Sequence, residues 1–138
     1  MLIKNVVMQE LKVTTHQSAA EKYLQVAQNE MFKAEEDVVP FMICKNAHLS
    51  ITHFLKGFLI NKGETVEEGA KIDDLIEKCK LYNSKFVTLQ DQHMKCGHGL
   101  TSNTYCTTVE TVGACIEAAL EAKKLTIENH WPEAKRVK

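Results

Sequence analysis

The sequence predicts an all-α fold, an up-and-down bundle of four to five helices in a single domain. Apolar residues recur at steps of three and four along most of the chain, the signature of helices with one buried face. Only two prolines, Pro40 and Pro132, interrupt the 138 residues, so long helices are permitted. No apolar/polar alternation survives outside the first 16 residues, so no sheet is expected.

The elements follow in order. Residues 1–16 (MLIKNVVMQELKVTTH) fit a strand or a short helix equally and are set apart as an extra N-terminal segment. Ser18 and Glu21 match a capping box, in which each side chain satisfies the other's backbone donor. Ala20, Tyr23, Leu24, Ala27, Met31 and Ala34 then form a stripe, predicting a first helix over about 18–36. Pro40 suits a first helical turn, and Asn61-Lys62-Gly63 is a stop signal. Between them Ala47, Ile51, Phe54, Leu55, Phe58 and Leu59 define the second helix, about 40–62. An acidic loop, GETVEEGA, occupies 63–70. Ile72, Leu75, Ile76, Cys79 and Tyr82 form a third stripe, which Asn83-Ser84 interrupts and Phe86 and Leu89 resume. Residues 96–104, CGHGLTSNT, read as a loop. A second capping box, Thr107 to Glu110, opens a last helix carrying Val112, Ile116, Ala119, Leu120 and Ile127 to about 130. Residues 131–138 are a charged tail, leaving a core of about 18–130.

The bulk properties narrow the function. Net charge is −1 and pI is about 6.6, so no surplus draws the whole chain toward nucleic acid or an anionic membrane. No apolar run approaches the roughly 20 residues of a membrane span. The N-terminus has no continuous apolar core of a signal peptide. Five cysteines make an odd count, read as reduced thiols that pack as small hydrophobes. A cytoplasmic protein is expected.

Several chemistries meet particular residues of the sequence. Di-iron bundles need Glu-x-x-His pairs, and no histidine here has an acidic residue three positions before it. His93, Cys96, His98 and Cys106 are zinc-ligand types, but their spacing fits no common zinc module, so no metal site and no cofactor is expected. No Gly-rich phosphate loop is present. His53, Lys56 and Gly57 resemble the acceptor helix of histidine phosphotransfer domains. That resemblance implies a phosphorylated His53, a charge-steadying Lys56 and room at Gly57 for a docking receiver. Phe58-Leu59 depart from the small residues expected there. The plain alternative is that His53 flanks the core and Lys56 reaches past it to water.

A longer pattern runs from Ala47 through Lys56-Gly-Phe-Leu, the acidic loop and Leu75-Ile-Glu-Lys-Cys79 to Phe86. With the long first and last helices, it resembles HEPN domains over about 18–130. The resemblance implies a helical bundle, a homodimer, and a binding or assembly role with a nucleotide or with a nucleotidyltransferase partner of toxin–antitoxin type. Some members are metal-independent ribonucleases that use an Arg-x4–6-His motif. Here the only arginine is Arg136, in the tail, and Lys95 and His98 stand near the motif's place at a different spacing. Lysine lacks the guanidinium fork that grips phosphate. A non-catalytic module is therefore expected, with phosphotransfer through His53 and RNA cleavage as alternatives. The candidate site residues are His53, Lys56, Lys95 and His98, the last three expected to meet between the second and last helices.

Overall fold

A computed structural model describes residues 2–89 and 109–130 of the chain. The described residues form four long helices: α1 (Leu2–Met31), α2 (Pro40–Asn61), α3 (Ile72–Lys80) and α4 (Val109–His130). A short 3-10 turn (Glu35–Asp37) separates α1 from α2, and residues 86–89, the last described before 109, are helical. The described residues contain no strand, and none of their helices is long and apolar enough to cross a membrane.

The central element is α2. Residues 54–59 are buried without interruption, and Ile43, Cys44, Ala47 and Ile51 extend the burial toward its start. A helix hydrophobic on all sides must be enclosed. Here α1, α3 and α4 enclose it. Ala118, Ala119 and Ala122 line the buried side of α4, and their small side chains permit a close approach. Phe58 packs with Phe86 and edge-on to Tyr82, closing the core beneath α3.

The first helix departs from expectation. No break occurs near Ser18, and the N-terminal segment continues as one helix of 30 residues, about 45 Å long. Ser18 is exposed on the middle of that helix and is not a cap. Polar residues at core-facing positions had concealed the period. Gln9 donates to the Ile60 carbonyl, and His16 meets His53. With Val13, Ala20, Leu24 and Ala27 buried, these residues mark one face along the helix. The helix also ends earlier than expected. Phe32 and Lys33 turn back onto the carbonyls of Asn29 and Glu30, and Phe32 is 84% exposed.

Helix α2 has the expected limits. Its N-cap, Val39, has no side-chain oxygen, and the Glu30 carboxylate at the end of α1 accepts the Val39 N–H at 2.9 Å. Pro40 follows at the first helical position, where no N–H is needed. At the other end Gly63 has φ +91°, its N–H reaches the Ile60 carbonyl, and the Glu64 N–H reaches the Leu59 carbonyl. That pair of bonds is a Schellman ending, which favours glycine at the left-handed position.

Helices α1 and α2 form an antiparallel hairpin in a fixed register. Contacts run from Gln9–Ile60 through His16–His53 and Ala20–Ser50 to Glu30–Val39, and the paired numbers keep a nearly constant sum. Gly57 lies directly against α1. A Cβ there would stand 3.4 Å from the Cβ of His16 and 3.6 Å from the Val13 carbonyl oxygen.

Helix α3 begins as expected at Ile72. Asp73 and Asp74 sit in its first turn and Lys78 and Lys80 in its last, each complementing the helix dipole. The capping box at 107–110 begins outside the described residues, as do the loop at 96–104 and the tail at 131–138.

Candidate functional site

Two groups of chemically capable side chains stand out, one on each side of α2. The first faces α1. His16 and His53 bring their Nδ1 atoms to 2.9 Å, so one ring donates its N–H to the bare nitrogen of the other. Tyr23 stacks on the far side of His53, with ring centres 5.6 Å apart. Partial burial is the main force lowering the pKa of both imidazoles. The neighbouring His53 and then Lys56 lower His16 further, and Lys56 lowers His53. The pair is therefore biased toward its uncharged form.

Lys56 does not reach past the core to water. It is buried, and its ammonium donates to the Glu68 carbonyl at 2.8 Å. The side chain thus ties the loop after α2 to the bundle. It also borders a cleft of about 520 Å³ between the helical hairpin and that loop. Lys12, His16 and Lys56 line it from the hairpin, and Glu64, Thr65 and Glu68 line it from the loop.

The candidate residues thus divide. His53 and Lys56 lie on the α1 side of α2, with His16 and Lys12 as partners that the sequence had not nominated. Lys56 points toward α1 and the loop rather than toward α4. Lys95 and His98 lie outside the described residues, as do all four residues weighed as zinc ligands. His53 is half-buried between His16 and Tyr23, and α1 occupies the space beside Gly57 where a receiver would dock. The geometry therefore lends phosphotransfer no support.

The second group faces α4 and was not anticipated. Cys44 and His48, one turn apart on α2, meet Cys115 of α4 in the buried core. The two sulfur atoms are 3.3 Å apart, and the Cys44 sulfur is 3.6 Å from Nε2 of His48. All three ligand atoms fall within 4.8 Å of one another. The i, i+4 spacing of Cys44 and His48 was visible in the sequence, but nothing local indicated that Cys115 would join them. Cys79 is a different case. It is buried within the α3 stripe, and burial pushes its thiol pKa well up, as for an inert core cysteine.

Comparison with protein-family models, with curated proteins and with solved structures gives no match.

Proposed function

We propose that this chain is a HEPN-like helical binding module that assembles as a homodimer and holds a nucleotide in the cleft between α1, α2 and the loop after α2. The mixed chemistry of that cleft carries the proposal. Lys12 and Lys56 supply ammonium groups for phosphate, while Glu64 and Glu68 from the loop bring carboxylates that can accept from sugar hydroxyls and base amines. A bare anion would use only the ammonium groups, whereas a nucleotide uses the carboxylates as well. His16 adds a polar contact at the cleft, and its ring is tied to that of His53, which favours holding a ligand over transferring protons. Exposed Phe32, Val39, Phe41 and Met42 gather apolar surface around the turn from α1 to α2, a feature suited to assembly.

Calorimetric titration with AMP, ATP and inorganic phosphate tests the ligand. Nucleotide is expected to bind more tightly than phosphate, and Lys12→Glu to weaken it by about tenfold or more, the scale of a lost charge-assisted contact. Absence of heat and of NMR shifts at millimolar nucleotide would refute the ligand assignment. Light scattering tests assembly: a strict monomer of 15.6 kDa at high concentration would refute the dimer.

A further inference from the structure

We infer that Cys44, His48 and Cys115 form a zinc site that staples α2 to α4. This inference is independent of the nucleotide cleft, which lies on the other side of α2.

The geometry is close to what the ion requires. Zinc holds thiolate sulfur at about 2.3 Å and imidazole nitrogen at about 2.0–2.1 Å, so tetrahedral angles give S–N edges of about 3.6 Å and S–S edges of about 3.8 Å. The Cys44–His48 edge is 3.6 Å, already at that value. The Cys44–Cys115 edge, 3.3 Å, opens by about half an ångström, within reach of small side-chain rotations. The remaining edge, at most 4.8 Å, closes by up to about 1.2 Å, a larger adjustment that a rotation of the His48 or Cys115 side chain supplies. Zinc has no d-electron preference for a different shape, so these adjustments meet little resistance.

The charge balance also favours zinc. The ion displaces the two thiol protons to solvent, leaving two thiolates, a neutral imidazole and Zn²⁺ with no net charge. All three residues are buried, where an uncompensated charge would be costly. A monovalent soft ion on the same ligands would leave a net negative charge. Among the described residues these three supply ligand atoms, and a tetrahedral site takes one ligand more. Buried cysteines often serve only as small hydrophobes. Here two of them, 71 residues apart in sequence, converge on the same imidazole, which simple packing does not demand.

The test uses the full chain, stripped with chelator and then titrated with Co²⁺ and with Zn²⁺ against a chromogenic chelator. One zinc per chain is expected. Cobalt is expected to give thiolate-to-metal charge transfer together with the intense visible bands of a tetrahedral site. Cys44→Ser, Cys115→Ser and His48→Asn should each weaken zinc by about 100-fold or more, because each removes a direct ligand. Cys79→Ser should leave it unchanged. The wild-type melting temperature should fall on stripping and recover with zinc, a measurement that needs no variant to fold. Absence of thiolate-to-cobalt charge transfer in the wild type would overturn the site. So would unaltered zinc binding by the Cys44→Ser/Cys115→Ser double variant, since the ion would then be held by other residues.

Discussion

The crossing of α1 over Gly57 makes a prediction whose sign changes with side-chain size. Replacing glycine by alanine inside a helix contributes about 1 kcal/mol of helix propensity. The new Cβ would meet the His16 Cβ at 3.4 Å, the Val13 oxygen at 3.6 Å and the Gln17 Cγ at 3.7 Å. Those are ordinary contacts at their near limit, so Gly57→Ala should be neutral or stabilising by up to about 1 kcal/mol. Valine adds two further carbons into the same gap. They must displace α1 or leave their preferred rotamer, and overpacking of that kind costs about 1–3 kcal/mol. For a chain of this size each kcal/mol shifts the melting temperature by roughly 3–5 °C. Thermal and urea unfolding of the two variants measure the difference. The valine variant should also loosen the His16–His53 pair, returning both imidazole titrations toward the ordinary histidine value in NMR. A valine variant as stable as wild type, or an alanine variant more than about 1 kcal/mol weaker, would refute the close crossing.

Three further outcomes follow from the same hairpin. Gly63→Ala should cost about 1 kcal/mol, because alanine resists the left-handed backbone of the Schellman ending; equilibrium urea unfolding measures it. Lys56→Met should spare the core but release the loop after α2, seen as faster hydrogen exchange of the amides at 64–70 with little change in global stability. Both imidazoles in the His16–His53 pair titrate below the ordinary histidine value, so the unfolded chain takes up their protons first as pH falls. Their contribution to stability is therefore complete above about pH 7.5 and declines from near pH 6.5 downward through the lowered folded values. Urea midpoints at pH 7.5 and 5.5 should differ less in a His16→Gln/His53→Gln variant than in wild type, and an equal difference would argue against the pairing.

Much of the bundle was legible because its helices carry uninterrupted apolar stripes. The α2 stripe from Ala47 to Leu59 is buried as read, and Pro40 and Gly63 bound it for the expected reasons. Ile72, Leu75, Ile76 and Cys79 likewise form the buried face of α3. Helix α1 failed where Gln9 and His16 occupy inward positions. Their partners, the Ile60 carbonyl and His53, lie on another helix, so the local pattern looked broken. In α4 the side chains buried most deeply include Cys115, Ala118 and Ala122, while Leu120 is substantially exposed. Small residues give a weak periodic signal, and their burial reflects how near α2 comes. The site was legible only in part for the same reason. His53 and Lys56 share a helix and were named together, whereas Lys12, His16 and Cys115 join their partners only through the folding of distant segments.

The constant numbering sum along the hairpin restricts how the chain can change in length. One residue inserted into or lost from either rod rotates everything beyond it by about 100°. Such a change near the middle would swing His16 away from His53, or Ser50 away from the Ala20 carbonyl, and no local adjustment would restore the rungs on both sides. Tolerated insertions, and engineered fusions or sensor grafts, should therefore be confined within this hairpin to the connection at 32–39.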